Sequence, residues 1–400
     1  MREVGLLHKH LSLSLPEIHS SRMNSLMVGV KNALDSNKLT LTALGRASKD
    51  KGQIKSKIKR MDRLIGNKDL HQEINNIYSV ISSLIIGNKK HPIIIVDWAN
   101  VDNRNKFEVL KATVAYEGRG LTILDRVEYK NRGTKAENNS HDQFIDDLEK
   151  IIPKNCQPIV VADAAFSAKW FRRIESKGWY WVGRLRGRIQ MQRVNGEPWL
   201  SCDDLFSMAT NTPQEFGEYI VSKKHAIKCT LFTYKKPARG RMMKNLDGSR
   251  KTDIVKSDHA KSAKEPWLLA SNLPKTYNMA KKVINCYAKR MQIEETIRDN
   301  KSTNYGLGIR YTLSETKERI SVLVLIATLA LLIFGVLGKA AYEIGLYKQF
   351  QANTIKHRKV LSFWYLGRQI YEHMLDKINI EQFRHALLNM LEGVQTYDSL

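Results

Sequence analysis

The segment from Tyr287 to Ser302 combines an aromatic hydroxyl, acids and basic side chains at helical spacing. At about 100° of rotation per residue, one face of such a helix carries Tyr287, Arg290, Glu294, Arg298 and Lys301. Glu295 lies about 100° from Glu294 and belongs to another side of the helix. An acid among cations is typical of a face that acts on phosphate groups, so Glu294 is the candidate catalytic acid. The alternative is a solvated surface with ion pairs such as Arg290 with Glu294.

Two further acids stand in apolar runs that predict β-strands, Asp97 in "IIIVDWAN" and Asp163 in "PIVVADAAF". If these strands are neighbours, the two carboxylates lie side by side and repel each other unless a cation binds between them. Mg²⁺ prefers oxygen ligands, so Asp97, Asp163 and Glu294 are predicted to hold Mg²⁺, with Mn²⁺ as a substitute. The alternative is that each Asp simply ends its strand at the solvent edge or caps the next helix.

These residues together predict phosphoryl transfer. Paired metal ions activate a water or a 3′-hydroxyl and stabilise the leaving oxygen of an in-line displacement. Arg290, Arg298 and Lys301 are then expected to bind the scissile and flanking phosphates. Tyr287 is expected to donate a hydrogen bond to a phosphate oxygen or to pack on a sugar.

The composition favours nucleic acid as the partner of this protein. There are 65 Lys and Arg against 40 Asp and Glu, a net charge of +25, and a pI near 9.8; such an excess is typical of nucleic-acid-binding proteins. An anionic membrane surface is the alternative, but no basic amphipathic helix with a clean apolar face stands at the N-terminus. With 400 residues and 42% hydrophobic content, the chain should fold into two to four domains.

The remaining signals indicate a reduced, cytosolic compartment. Its four cysteines are far apart in sequence and predict neither a zinc site nor a disulfide framework. The first twenty residues lack an apolar core long enough for a signal peptide. The uncharged run from Ile320 to Leu337 is at the lower length limit of a membrane span. We expect it to be a buried core helix, and we expect no membrane partner.

Residues 1–85 predict a helical domain that binds DNA ends. "LTLTALGRASKDKGQIKSKIKRMDRLIGN" has the pattern of a short helix, a turn and a second, very basic helix. In a helix-turn-helix, that second helix would approach the duplex with Lys55, Lys59 and Arg60. A solvated basic face on an ordinary helical bundle is an equally good interpretation of the pattern.

The period of the sequence changes after "GNKKHP", where a mixed α/β core is predicted for residues 86–310. Its order is three strands, a helix, a strand, a helix and a strand; the first three could form a meander and the later ones add in parallel. The sequence pattern changes at residues of about 188–272, which contain further predicted strands and a basic run from Lys235 to Lys264. We interpret this segment as an insertion. Residues 311–400 predict a helical C-terminal region suited to dimerisation.

The residues match the signature Tyr, two residues, Arg, three residues, Glu, six residues, Lys. In this the chain resembles the bacterial insertion-sequence transposases with a DDE triad, most closely those of the insertion-sequence-ten type and more distantly the transposase of transposon five. The resemblance covers nearly the whole chain. It includes "LTLTALGR", "IKRMDRLIGN", "VDW", "HDQF", "GWYW", "SAKEPW", "KRMQIEET" and "YGLGIR".

This resemblance implies an RNase-H-like core with a β-strand insertion before the helix of the glutamate, and a triad of Asp97, Asp163 and Glu294. It implies cut-and-paste transposition by a synaptic homodimer on the inverted-repeat ends of the element. Water nicks the DNA, the freed 3′-hydroxyl forms a hairpin, water opens the hairpin, and the 3′-hydroxyl joins target DNA. A nuclease of the same fold that does not join strands, and an inactive DNA-binding regulator, remain the alternatives.

Three further positions follow from the resemblance. Trp267 matches the family position that stacks on a flipped base, although a Trp beside two leucines is commonly a core residue. His141 and Asp142 recur in the related enzyme and are interpreted as structural. Trp98 is bulky where the group commonly has small residues, which affects the expected packing of the strand rather than the role of Asp97.

Overall fold

The computed structural model describes residues 2–36, 38–130, 133–237, 265–352, 354–355 and 358–400. Most of the predicted basic run from residue 235 to 264 therefore lies outside the described residues. The helices in chain order are α1 (Arg2–Ser14), α2 (Ser20–Leu34), α3 (Leu41–Ala47), α4 (Ile54–Ile65), α5 (Lys68–Ile86), α6 (Thr134–Ile151), α7 (Ala168–Glu175), α8 (Cys202–Ser207), α9 (Met279–Ala288), α10 (Met291–Lys301), α11 (Lys317–Glu343), α12 (Phe363–His373) and α13 (Ile380–Glu392).

The strands in chain order are β1 (Ile93–Asn100), β2 (Phe107–Tyr116), β3 (Arg119–Tyr129), β4 (Ile159–Ala162), β5 (Tyr180–Leu185), β6 (Gln190–Arg193), β7 (Leu200–Ser201), β8 (Gln214–Val221), β9 (Ile227–Tyr234) and β10 (Trp267–Ser271). Short polar side chains begin several helices by accepting the first free amide hydrogens: Thr40 caps α3, Asn67 caps α5 and Thr316 caps α11. The predicted α/β class with helical flanks is confirmed.

The chain divides into two compact units. Unit 1 comprises Met1–Cys156 and Met291–Thr396, and unit 2 comprises Gln157–Arg290 and Tyr397–Leu400. The predicted boundaries at residues 85 and 310 do not coincide with these divisions. They concern functional domains and stay a prediction.

Unit 1 contains the predicted meander. β1 pairs antiparallel with β2, and β2 with β3. The register places Asp97 opposite Lys111, and Lys111 opposite Asp125, so these three side chains share one face. The neighbouring row of Trp98, Leu110 and Arg126 lies on the other face.

The core of unit 1 is built around α11. Among the described residues, α11 is the one helix that is long and apolar enough to span a membrane, and 94% of its most apolar window is buried inside the structure. The prediction of a buried core helix is therefore confirmed. Its contact with α12 is close, because a Cβ on Gly338 would lie 1.8 Å from the Phe363 carbonyl oxygen.

Unit 2 has a mixed sheet in the order β4-β5-β10-β9-β8-β6-β7. β4 and β5 are parallel, with α7 as their crossover, and the other pairs are antiparallel. The extra antiparallel strands follow β5 in the chain and fall in the predicted insertion. Cys156 in unit 1 and the cysteines of unit 2 are buried free thiols, and burial raises the pKa of Cys202 to about 11.

Two predictions about local structure are wrong. The segment from Tyr287 to Ser302 is not one helix, because the amides of Lys289 and Arg290 bond to carbonyls three residues back and end α9 before α10 begins. Asp163 is not inside a strand, since β4 ends at Ala162. It directly follows the last residue of β4 and is half-buried, which is close to the alternative that it ends its strand at the solvent edge.

Candidate active site

Asp97 lies where β1 passes from full burial to partial exposure. Ile93 through Val96 are 0% exposed, whereas Asp97 and Trp98 are half-buried. The Asp97 Oδ1 accepts a hydrogen bond from the Trp98 backbone N–H at 2.8 Å. The strand thus holds a carboxylate at the edge of the core, where a cation can reach it and little water screens its charge.

His141 on α6 fixes the side chain that follows Asp97. The Trp98 indole Nε1–H donates to His141 Nε2 at 2.8 Å, and the two ring centroids are 5.6 Å apart. His141 is buried, and α6 is itself tied to β3 because Arg126 donates to Asp147 at 2.9 Å. This contact gives a physical basis for the structural interpretation of His141 and accommodates the bulk of Trp98.

Helix α10 has two polar faces, as the spacing of its residues requires. At about 100° per residue, positions separated by three, four or seven residues share a side. One side therefore carries Glu294, Arg298 and Lys301, as predicted. The opposite side carries Gln292, Thr296 and Asp299, which are buried.

The buried side of α10 docks on the hairpin between β2 and β3. Gln292 Oε1 accepts from the Tyr116 backbone N–H at 2.8 Å. Thr296 Oγ1 accepts from the Gly120 backbone N–H, also at 2.8 Å. These bonds satisfy buried amides at the hairpin and fix the rotation of α10, so they determine the direction of Glu294.

Arg119 adds the charged part of this docking. Its Nε donates to Asp299 Oδ2 at 2.7 Å, and its guanidinium lies 3.3 Å from Glu295. Burial raises the pKa of Asp299, and the nearby Arg119 charge opposes that shift. Glu295, which also pairs with Arg298, therefore belongs to the anchoring side, and Glu294 is the acid of the other side.

Lys301 interacts electrostatically with Asp97. Burial lowers the pKa of Lys301, the positive charge of Arg310 lowers it further, and the attraction of Asp97 opposes both effects. The Arg310 Nε donates to the Lys301 carbonyl oxygen at 3.1 Å. Two cations thus stand together near an acid. The sequence reasoning missed Arg310, although it lies in the quoted segment "YGLGIR".

In unit 2, Asp163 occupies the turn between β4 and α7. Its Oδ1 accepts from the Ala165 backbone N–H at 2.9 Å, so the carboxylate shapes the turn. Asp163 is half-buried, and its charge acts on Tyr287. A carboxylate at the end of a parallel strand is placed where α/β folds commonly bind ligands.

Tyr287, the first residue of the predicted signature, is buried. Burial raises its pKa, which the charges of Arg290 and Arg184 oppose and that of Asp163 reinforces. Tyr287 is 3% exposed, and Arg290 hydrogen-bonds its hydroxyl. Tyr287 thus positions Arg290, which is half-buried. The sequence reasoning missed Arg184 on β5, a second cation beside Tyr287.

Trp267 begins β10 and is half-buried. Its ring packs edge-on with Tyr287, at a centroid distance of 4.9 Å, and more loosely with Tyr234 at 6.1 Å. The Lys236 ammonium lies 4.0 Å from the Trp267 ring centroid. The Trp267 side chain is therefore a partly exposed aromatic surface beside cations, rather than a core residue.

The predicted DNA-reading helix is α4. Lys55 and Lys59 are exposed and Arg60 is half-buried; Lys59 pairs with Asp62 at 3.0 Å and Arg60 with Asp50 at 2.7 Å. Helices α3 and α4 cross closely, since a Cβ on Gly45 would lie 2.6 Å from the Ile58 Cα. This close crossing at a glycine is compatible with a helix-turn-helix, and its role in DNA binding stays a prediction.

The two units divide the predicted site residues. Unit 1 contains Asp97, Glu294, Arg298 and Lys301. Unit 2 contains Asp163, Trp267, Tyr287 and Arg290. Within unit 1, α10 packs against β1 as well as the hairpin, so Asp97 and Glu294 belong to adjoining elements. The expected adjacency of Asp97 and Asp163 stays a prediction.

The donor atoms fit a hard divalent cation. Asp97, Asp163 and Glu294 offer carboxylate oxygens, which suit Mg²⁺ and Mn²⁺. In the part of the chain that the structure describes, no three His, Cys, Asp or Glu side chains form a group that could hold a metal ion. The chemistry of the donors is compatible with Mg²⁺.

The residues from 88 to 333 match the family model of the transposase DDE domain. The match covers more than half of the 400 residues and includes all three acids. The chain therefore belongs to the family of proteins with a transposase DDE domain. Its mixed α/β fold is consistent with the RNase-H-like core predicted for such a domain. A search of curated proteins found no match.

Members of this family are recombination enzymes that act on DNA and generally use a divalent metal. The match begins just before β1 and ends inside α11, so it includes α10 and its docking hairpin. The prediction of a DDE transposase is thus confirmed at the level of the family.

Proposed function

We propose that this protein is a cut-and-paste transposase of the insertion-sequence-ten type, with the Tyr-Arg-Glu-Lys signature at Tyr287, Arg290, Glu294 and Lys301. It binds the inverted-repeat ends of its own element, excises the element through hairpin intermediates and joins the 3′-hydroxyl ends to target DNA. The observation that carries this proposal is the anchoring of α10 on the protein hairpin between β2 and β3, which places Glu294 and Lys301 on the opposite side of the helix. Lys301 also interacts electrostatically with Asp97.

Asp97, Asp163 and Glu294 are the proposed ligands of Mg²⁺, with Mn²⁺ as a substitute. When bound, the metal activates a water or a 3′-hydroxyl and stabilises the leaving 3′-oxygen. The residues of the chain align the nucleophile with the scissile phosphorus and exclude competing water. In each step one P–O bond forms, the opposite P–O bond breaks, and the leaving oxygen takes a proton.

The cations bind the DNA backbone beside the acids. Lys301 and Arg298 extend from the same side of α10 as Glu294, and Arg290 is held by Tyr287. Because Lys301 is partly buried, its charge is less screened than that of a surface lysine. These side chains would hold the scissile and flanking phosphates in register with Glu294.

The hairpin step requires a sharply bent strand and an unstacked base. Trp267 is the proposed platform for that base, since its ring is partly exposed and is fixed from one side by Tyr287. Base stacking on an aromatic side chain contributes about 1–3 kcal/mol. Trp267 would therefore act after the first nick and would not be needed for it.

Helix α4 is the proposed reader of the element ends, with Lys55, Lys59 and Arg60 contacting phosphates. Loss of one phosphate contact should lower the slope of log affinity against log salt by about one. Lys55→Ala is expected to give this change. Lys57→Ala is the control, because the Lys57 ammonium bonds to the Ser48 carbonyl oxygen at 3.0 Å. Equal slopes for wild type and Lys55→Ala would remove Lys55 from the interface.

The active form is proposed to be a synaptic homodimer on DNA, located in the bacterial cytoplasm at the nucleoid. The helical region of residues 311–400 is the proposed dimerisation region. Sedimentation of the protein with and without a DNA end tests this assignment. A complex containing a single protein chain and two ends would contradict it.

The experiment that tests the function is a reaction with Mg²⁺ and a plasmid that carries the DNA flanking the gene. Wild type is compared with Glu294→Gln, and with Glu295→Gln as the matched neighbour on the anchoring side. Excised fragment, hairpin ends and joined product should appear with wild type and with Glu295→Gln, whose partly exposed ion pairs contribute little. They should be absent with Glu294→Gln.

The products also separate the alternatives. Cutting without hairpins or joined product would identify a nuclease of the same fold. Binding of the ends without cutting would identify a DNA-binding regulator. Asp97→Asn, Asp163→Asn and Glu294→Gln should each abolish cleavage and leave end binding intact.

A further inference from the structure

A lysine stands directly beside the candidate acid Asp97 in the sheet. Lys111 on β2 is the cross-strand partner of Asp97, and Asp125 on β3 is the partner of Lys111. Side chains in directly opposite positions of an antiparallel pair point to the same face and have Cβ atoms about 4.5–5.5 Å apart. The ammonium of Lys111 can therefore reach a carboxylate on either side.

In the structure Lys111 binds Asp125. Its Nζ lies 2.6 Å from Asp125 Oδ1, in an ion pair whose two side chains are each 1% exposed. The same ammonium donates to Thr122 Oγ1 at 3.3 Å. The lysine charge is thus directed along the sheet, away from β1.

Asp125 is itself held in place by two hydroxyl groups. The Tyr78 hydroxyl of α5 donates to Asp125 Oδ2 at 3.1 Å, and the Thr328 hydroxyl of α11 donates to the same oxygen at 3.0 Å. Both donors bond to Oδ2, which leaves Oδ1 to face Lys111. Two helices therefore fix the orientation of a carboxylate whose side chain is 1% exposed.

Stability alone does not account for this buried pair. Burying two charges costs desolvation free energy, and their attraction offsets that cost only when the geometry is good. An apolar pair of similar volume is often at least as stabilising. A lysine is nonetheless present next to Asp97. An unrestrained ammonium there would form an ion pair with the Asp97 carboxylate and compete with a divalent cation for its oxygens.

We propose that Asp125, oriented by Tyr78 and Thr328, holds the Lys111 ammonium away from Asp97 so that the Asp97 carboxylate oxygens remain available to the metal. Asp125 is thus a positioning residue that acts on Asp97 through Lys111. This inference rests on the proposed function, since it takes Asp97 to be a metal ligand.

The test compares removal of the carboxylate of the pair with removal of its ammonium group. Asp125→Asn leaves the lysine without its partner, so that Lys111 turns to Asp97. Lys111→Met removes the competing charge altogether. A pair that only stabilises the fold would make both variants equally defective. Under the proposal, Asp125→Asn alone loses metal affinity, and the double variant Lys111→Met with Asp125→Asn regains it.

Mn²⁺ binding to the full-length protein, followed by electron paramagnetic resonance, gives a readout that does not require DNA cleavage. Asp125→Asn is expected to weaken Mn²⁺ binding by about tenfold, the lower end of the effect of outer-shell changes. Lys111→Met and the double variant should bind Mn²⁺ near the wild-type affinity. Ile77→Ala, a core change beside Tyr78, controls for a general loss of stability.

If Asp125→Asn does not fold, a milder variant tests the same contact. Thr328→Val removes one of the two hydroxyl donors to Asp125, and should weaken Mn²⁺ binding in the wild-type background but not in the Lys111→Met background. Equal Mn²⁺ affinities for Lys111→Met and Asp125→Asn, or equal effects of Thr328→Val in both backgrounds, would overturn the inference.

The plasmid reaction distinguishes this outcome from failure of the proposed function. Wild type that joins DNA ends but shows no asymmetry between the variants refutes the positioning role alone. Wild type that binds Mn²⁺ with the expected asymmetry but neither cuts nor joins DNA refutes the proposed function alone. Absence of Mn²⁺ binding by wild type would overturn both.

Discussion

Asp97 and the residues that hold it show how neighbouring side chains prepare one carboxylate for chemistry. The backbone N–H of Trp98 bonds to the Asp97 carboxylate, and the indole of Trp98 bonds to His141. On the other face of the sheet Lys111 is directed toward Asp125. Contacts on one face of the sheet therefore position Asp97, and under the proposal the Lys111–Asp125 pair on the other face keeps an ammonium away from it.

The hydrogen bond from Trp98 to His141 can be tested with variants that differ in acceptor capacity. His141→Phe keeps a ring but removes the acceptor, and it should lower the nicking rate by about tenfold because Trp98, next to the proposed metal ligand Asp97, loses its hydrogen-bond partner. His141→Gln retains an acceptor and should recover most of that loss.

Trp181→Phe is the control for this experiment, since it removes a comparable indole bond, to Glu175 at 3.0 Å, elsewhere in the chain. Nicking rates and thermal unfolding are measured for all three variants. Equal rates for His141→Phe and His141→Gln would show that the acceptor is not used.

Trp267 allows the steps of the reaction to be separated. Trp267→Ala should nick DNA ends normally but accumulate little hairpin, since loss of a stacking platform costs about 1–3 kcal/mol at that step alone. Trp199 is a matched control, because it is also half-buried and lies under a lysine, Lys223, at 5.2 Å. Denaturing gels of a labelled end measure both products. A wild-type hairpin yield from Trp267→Ala would exclude the ring from the site.

At the scale of elements, the docking of α10 on the β2–β3 hairpin determines where the candidate acid points. The buried side of α10 contacts the hairpin through amide hydrogen bonds and the Arg119 ion pairs. A helix bound in this way cannot rotate without leaving buried amides unsatisfied. The opposite side, with Glu294, Arg298 and Lys301, is positioned as a consequence.

Thr296 is the residue at which this docking is best tested. Thr296→Val keeps the shape but leaves the Gly120 N–H without its acceptor, which should destabilise the fold by about 1–3 kcal/mol. Thr296→Ser retains the hydroxyl and should restore most of the cleavage rate. Urea unfolding and the cleavage rate are measured together. If the Val and Ser variants cleave equally well, the docking bond does not position Glu294.

At the scale of the whole molecule, the most apolar helix is a core element of unit 1, and the charge excess lies elsewhere in the chain. Helix α11 packs against α12 at two glycines, since Cβ atoms on Gly338 and Gly367 would each lie 1.8 Å from a backbone oxygen of the other helix. Such an approach requires protein backbone, not lipid, at the surface of α11. Separately, the net charge of +25 suits a polyanionic partner such as the DNA on which the family acts.

This packing predicts a contrast between two helical glycines. Gly338→Ala should destabilise the protein by at least about 1–3 kcal/mol, because the added methyl group overlaps the Phe363 carbonyl. Gly5→Ala in α1 has nothing within 4 Å of the new Cβ, and it should be neutral or stabilise by about 0.4–1 kcal/mol. Thermal unfolding without detergent measures both. Unchanged stability of Gly338→Ala would argue against the observed crossing of α11 and α12.

The sequence by itself determined which segments of the chain form strands and which form helices. Alternating and apolar runs predicted β1 to β5 and the helices between them, because strand and helix periods are properties of adjacent residues. Asp97 and Glu294 could be proposed as candidate acids for the same reason, since a carboxylate in an apolar strand or on a cationic helix face is visible in the chain itself. The spacing also separated Glu294 from Glu295 correctly within α10.

The tertiary structure decided what depends on contacts between distant residues. It ended α9 at two short-range hydrogen bonds that no periodicity reveals, and it divided the predicted site residues between two units. The pairing of Lys111 with Asp125, and the hydrogen bonds from Tyr78 and Thr328 to that carboxylate, also join residues that are far apart in sequence. Local patterns state what a segment prefers, whereas burial and hydrogen-bond partners exist only after the chain has brought those segments together.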